Sequence, residues 1–132
     1  MISISLGSPV PLHDQIVGEL RRLLATGVLA PGDELPPVRQ LANDLGINLN
    51  TVARAYRELT DAGLLASARG RGTVVLSSTE RRVAPAKEEK KRLEQSLGSA
   101  LADAKIAGFS LAETRTLIER QLSRLWNLST SE

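Results

Sequence analysis

The stretch "VRQLANDLGINLNTVARAYRELTDAG", Val38 to Gly63, constrains the fold more than any other part of the chain. It carries two runs of apolar residues at helical spacing: Val38, Leu41, Ala42 and Leu45, then Val52, Tyr56, Leu59 and Ala62. Gly46 ends the first run and Gly63 the second, since glycine enters the left-handed conformation of a helix end without a Cβ penalty. Asn48 is suited to cap the second run. Two short helices joined by so tight a turn, with a glycine in it, predict a helix-turn-helix.

The second helix opens with Asn50 and Thr51 and carries Arg54 and Arg57 away from its apolar stripe. An amide donates and accepts at once, which matches the N6/N7 edge of adenine, so Asn50 is the candidate base reader. Thr51 offers a hydroxyl to a phosphate or a methyl to thymine; the alternative is a bond back to the helix cap. Arg54 and Arg57 are neighbours on the helix surface; Arg57 suits a phosphate and Arg54 either a base edge or a phosphate, unless Glu58 or Asp61 takes them into intrahelical pairs. Arg39, in the opening turn of the preceding helix, stands against its own helix dipole, which points to an external anion. Its alternative is a pair with Asp44 or Glu34.

The flanks extend this core. "ISIS", Ile2 to Ser5, alternates and predicts a short strand. Leu12, Ile16, Leu20, Leu23 and Leu24 predict a first helix, with Pro11 in its first turn and Gly27 at its end. Pro31-Gly32 is a turn pair. Downstream, Leu64 to Ser67 and Thr73 to Leu76 are strand-like, and "RGRG" forms the tip between them. A hairpin placed after a helix-turn-helix is a wing. Its Arg69 and Arg71 flank Gly70 and suit a narrow minor groove; the alternative is a solvated turn.

Residues 78–86 are polar and charged and read as a linker. Beyond them, Leu93, Leu97, Leu101 and Ala104 predict a helix that Gly108 breaks. Ser110 and Glu113 form a capping box for a last helix reaching about Asn127, with Leu111, Leu117, Ile118, Leu122, Leu125 and Trp126 on its apolar side. Two helices are too little to hold a core alone. Packing on a second copy resolves this, and a two-fold dimer would set two recognition helices on two half-sites. Leu93, Leu97, Leu101, Phe109, Ile118, Leu122 and Trp126 are the candidate interface residues, with Phe109 and Trp126 the candidate anchors; the alternative is that these two only close the hairpin onto its own linker.

Composition removes other classes. The 132 residues are 42% hydrophobic with one Phe, one Tyr and one Trp, so the core is aliphatic. No apolar run nears the roughly 20 residues of a membrane span, and the N-terminus lacks the features of a signal peptide. With no cysteine and a single histidine, thiolate and histidine metal sites and a cysteine nucleophile are excluded, no cofactor is implied, and a cytoplasmic setting fits. "RGRGT" lacks the glycine spacing and terminal Lys of a P-loop. Net charge is +2, but residues 1–77 hold seven arginines against seven acids; five of those arginines follow Glu34. The distribution, rather than the sum, can give a basic face.

The ordered set Gly27, Leu29, Pro31-Gly32, Leu35-Pro36, Val38-Arg39, Leu41-Ala42, Gly46, "NTVARAYREL", Gly63-Leu64 and Gly70-x-Gly72-Thr73 resembles the GntR family of bacterial transcription regulators, in its short YtrA-like branch. The resemblance implies a mainly α fold with a small β-hairpin: an N-terminal winged helix-turn-helix over residues 1–77, the linker 78–86, and a C-terminal two-helix dimerisation segment over 87–132. It implies a regulator, expected to be a repressor, that binds palindromic double-stranded DNA as a homodimer. The site would comprise Arg39, Asn48, Leu49, Asn50, Thr51, Arg54, Arg57, Arg69, Gly70 and Arg71. Leu49 and Ala53 stand where some relatives carry arginine, and Pro37 where many carry a capping serine. The C-terminal segment is too small for the large effector domains of longer relatives. A small-molecule effector, if one acts, would lie at the dimer interface or beside the linker. The competing reading is a winged helix that binds protein; an enzyme is a third class, for which the chain lacks the length.

Overall fold

The computed structural model describes residues 2–77 and 86–126. The chain divides into two compact units, Met1–Arg82 and Val83–Glu132.

In the first unit, α1 (Leu12–Thr26) follows Pro11, which takes the N-cap position rather than the first turn. The Pro11 carbonyl accepts the Gln15 amide at 3.0 Å, so the ring, which has no N–H to donate, starts the helix at no cost in hydrogen bonds. Ile16, Val17, Leu20 and Leu23 face inward. α2 (Val38–Leu45) likewise has Pro37 at its N-cap. α3 (Leu49–Asp61) begins at Asn48, whose side-chain oxygen accepts the Asn50 amide at 2.7 Å. α1 and α2 both pack on α3.

The inner stripe of α3 is Val52, Ala55, Tyr56 and Leu59. Ala62, expected in that stripe, is exposed at the helix C-cap. Gly63, at φ 79, turns the chain there, so the stripe ends one turn earlier, and Ala55 is fully buried within it.

The hairpin pairs β1 (Leu65–Ala68) with β2 (Gly72–Val75), antiparallel, from Leu65 opposite Val75 to Ala68 opposite Gly72. A further bond from the Leu76 amide to the Leu64 carbonyl, 3.0 Å, extends the pairing to the ends expected from sequence. The turn before α2 lies along the other edge of β2: Glu34 bridges Val74, and Leu35 donates to the Thr73 carbonyl at 2.9 Å. Ile16, Leu20, Val52, Leu59, Leu65 and Val75 are the largest fully buried side chains, so helices and hairpin share one core.

"ISIS" is not a strand. Ile2 and Ile4 do pack on the core, as alternation requires, but among the described residues no strand pairs with them. The Gln15 side chain takes that place: its oxygen accepts the Ser5 amide at 2.7 Å and its nitrogen donates to the Ser5 carbonyl at 2.9 Å.

The second unit holds α4 (Ala86–Ile106) and α5 (Leu111–Trp126). Gly108, at φ 92, makes the turn. Ser110 and Glu113 close the capping box reciprocally, the Ser110 amide donating to Glu113 Oε1 at 2.8 Å and the Glu113 amide to Ser110 Oγ at 3.0 Å. No residue of α5 is buried, and the two helices do not pack closely along their lengths. Leu93, Leu97, Phe109, Leu122 and Trp126 are exposed; Leu101 and Ile118 are half-buried. The expected linker, apart from Ala86, and the expected helix end at Asn127 lie outside the described residues.

Candidate nucleic-acid interface

The opening turn of α3 is built outward from its cap. The Asn48 side-chain oxygen holds the Asn50 backbone amide, and the Asn50 side chain is exposed, its carboxamide engaged by nothing among the described residues. The Thr51 backbone amide bonds the Asn48 carbonyl at 3.1 Å, while its hydroxyl makes no bond back to the cap. Leu49 is exposed beside them. Asn50, Arg54 and Arg57 follow one face of the helix by their spacing, opposite the buried Val52 and Leu59.

Arg39, Arg54, Arg57 and Arg69 are exposed and form no ion pair among the described residues. The intramolecular partners proposed for them are otherwise engaged or unpaired. Glu34 binds Arg71, and Glu58 faces His13 Nε2 at 3.3 Å. His13, Arg54, Arg57, Glu58 and Asp61 line one shallow open depression, where α1 meets α3. Guanidinium groups without an ion-pair partner keep their donors open to an external anion.

The wing tip separates its two arginines. Arg69 stays free, and Gly70 at φ 77 makes the bend. Arg71 folds back: its Nε donates to Glu34 Oε1 at 3.1 Å and its Nη2 to the Gly32 carbonyl at 2.7 Å. This contact, across 37 residues of sequence, was not foreseen, nor was the bond from the Tyr56 hydroxyl to the Pro36 carbonyl at 2.6 Å. Burial pushes the Tyr56 phenol up to about 12, so it stays a neutral donor. The charged pair at Glu34 and Arg71 and the Pro-Gly turn were visible separately; their pairing was not. Among the described residues no cluster of His, Asp and Glu could hold a metal ion, and no helix is long and apolar enough to cross a membrane.

Residues 12–75 match the family model of bacterial regulatory proteins, gntR family. The chain is 34% identical over 119 residues to the HTH-type transcriptional repressor YtrA of Bacillus subtilis, covering 90% of both chains. The chain belongs to the GntR family. GntR-family membership makes it a transcriptional regulator by kind, and the helix-turn-helix and wing are that family's domain. Among solved structures, a transcriptional antiterminator from Listeria monocytogenes EGD-e superposes with a TM-score of 0.78 at 26% identity, covering 100% of this chain and 97% of that one. The AraR DNA-binding domain in complex with operator ORX1 superposes at 0.50 with 25% identity, covering 56% of this chain and 95% of that one.

Proposed function

We propose that this GntR-family protein is a sequence-specific repressor that binds a palindromic operator as a homodimer. The observation that carries the proposal is the opening turn of α3. Its cap is satisfied within the turn, and Asn50, Arg54 and Arg57 are left outward and unpaired. In this reading α3 enters the major groove, Asn50 reads a base edge, and Thr51, Arg54 and Arg57 hold base edges or phosphates beside it. Asn48 orients the turn, and Leu49 offers an apolar contact to a thymine methyl. Arg39 meets phosphate at the start of α2. The wing, Arg69 to Arg71, lies over the adjoining minor groove or backbone. The likeness to a DNA-binding domain that is itself bound to operator supports this placement.

The second unit supports the two-fold partner. Leu97 is 56% exposed and Trp126 67%, and a pair of helices with no buried residue on α5 has apolar surface to cover. A second copy covers it with the same surface, as a two-fold interface requires, and sets two α3 helices one or more DNA turns apart. Modulation by a small-molecule effector would act on this paired segment, where a concavity of about 460 Å³ opens beside Lys105, Phe109 and Arg115. The working compartment is the cytoplasm, where the DNA is.

The test is binding of the intact protein to duplex DNA between about 50 and 200 mM salt. A dimer making about six to ten phosphate contacts loses on the order of a thousandfold in affinity or more across that range. A flat response would sink the operator reading in favour of a protein partner held by apolar contacts.

A further inference from the structure

The Arg71 side chain makes two hydrogen bonds inside its own unit, and the Arg69 side chain, two residues away, makes none among the described residues. We infer that Arg71 is a positioning residue that clamps the wing to the Gly32–Glu34 turn, and that Arg69 is the wing residue that meets DNA. The inference rests on the DNA-binding reading for its second half only.

Three observations converge on the clamp. The guanidinium bonds through two different nitrogens to two different acceptors, a carboxylate and a backbone carbonyl, a geometry that fits the planar fork of arginine and not the point charge of lysine. The acceptors lie on the segment that pairs with the edge of β2 away from β1: Gly32 donates to the Val75 carbonyl, Val75 donates to the Asp33 carbonyl, and Leu35 donates to the Thr73 carbonyl, all at 2.9 Å. Arg71 therefore adds a side-chain bridge alongside a ladder that already exists. That segment leads into Pro36, whose carbonyl is held by Tyr56 of α3. The wing is thus tied through one turn to the helix proposed to read bases, and the clamp fixes the distance between the two contact elements. It also neutralises Glu34, a carboxylate half-exposed on the same turn that would otherwise repel a phosphate backbone.

Charge-conserving variants separate a clamp from a charge contact, because lysine still offers a phosphate its full charge but cannot supply the two-nitrogen fork that the clamp uses. In the full-length protein without DNA, Arg71→Lys and Glu34→Asp are each expected to speed hydrogen exchange at the Gly32, Leu35 and Val75 amides, while Arg69→Lys leaves them unchanged. The double variant Arg71→Lys/Glu34→Asp is expected to be no worse than either single one, since both remove one interaction. Unchanged exchange in Arg71→Lys would overturn the clamp, whatever the protein binds.

The second arm uses a duplex recovered by selection with the wild-type protein. Arg71→Lys is expected to weaken binding about two- to fivefold, the scale of an exposed ion pair, with an unchanged slope of log affinity against log salt. Arg69→Ala is expected to lower that slope by about one for each protomer bound. A lowered slope in Arg71→Ala together with an unchanged slope in Arg69→Ala would reverse the two assignments. If wild-type protein bound no duplex, the operator reading would fail, and the exchange arm would still decide the clamp.

Discussion

The Tyr56 hydroxyl donates to the Pro36 carbonyl at 2.6 Å and so joins the middle of α3 to the segment that enters α2. The two helices of the helix-turn-helix are therefore held by a polar bond at one end as well as by apolar packing around Leu41, Ala42, Val52 and Leu59. Tyr56→Phe keeps the ring and removes the bond. It should destabilise the protein by about 1 kcal/mol, read as a shift in the urea midpoint without a change in slope. An unshifted midpoint would mean that water replaces the hydroxyl.

The same phenol makes a prediction about base. Its folded pKa is pushed to about 12 from 10.0 by burial, so the folded state holds the proton more tightly than the unfolded state. The stabilisation this gives is fully present below pH 10 and is lost as pH rises toward 12. Melting temperature followed over that window should fall in the wild type, and fall less steeply in Tyr56→Phe. Parallel curves would remove Tyr56 as a source of the alkaline loss.

At the other end of the chain the titration runs the opposite way. The Ser110 amide and hydroxyl hold the Glu113 carboxyl below its usual 4.5. Stability from this cap is present above pH 4.5 and lost as pH falls through the lowered value. Helicity of α5 should drop on acidification in the wild type, and Ser110→Ala should reduce the helicity already at neutral pH. Circular dichroism of the two proteins from pH 7 to 3 checks both; identical profiles would show that the box adds nothing to the helix.

Leu97 projects from α4 at 56% exposure. Leu97→Asp puts a charge into an apolar interface if a second copy covers that face, and onto a solvated surface if none does. Sedimentation should show the wild type as a dimer and the variant as a monomer of unchanged helical content. A variant that remained dimeric would place the interface elsewhere.

Asn50→Ala removes the one amide offered at the front of α3 beyond the cap. Base preference should relax at one position of each half-site, at a cost of about 1–3 kcal/mol per contact. Competition binding with single-base variants of a selected duplex measures it; an unchanged preference at every position would exclude Asn50 from base reading.

The elements set by neighbouring residues were legible in the sequence. Gly27, Gly46, Gly63 and Gly108 end helices where their spacing says they should, and Asn48 and Ser110 cap the helices that follow. What escaped notice depends on partners far along the chain. Alternation at Ile2 and Ile4 reported burial correctly but could not say that a glutamine side chain on α1, rather than a strand, would satisfy the backbone of Ser5. Ala55 is fully buried, but the spacing of Val52, Tyr56 and Leu59 continues to Ala62 and passes over Ala55, and spacing alone does not show that the helix ends at Asp61. At the wing, Arg69 and Arg71 are indistinguishable by local sequence; only the fold brings Glu34 to one of them. The apolar residues of α4 and α5 were readable as a face, and what covers that face is not contained in one chain.

The most direct test of the account is selection of duplexes from a random DNA pool by the intact protein at near-physiological salt. The account predicts enrichment of an inverted repeat, its half-sites separated by a spacing that reports the distance between two α3 helices. Enrichment of a single unrepeated site would contradict the two-fold reader, and no enrichment from the pool would contradict operator recognition by the protein alone.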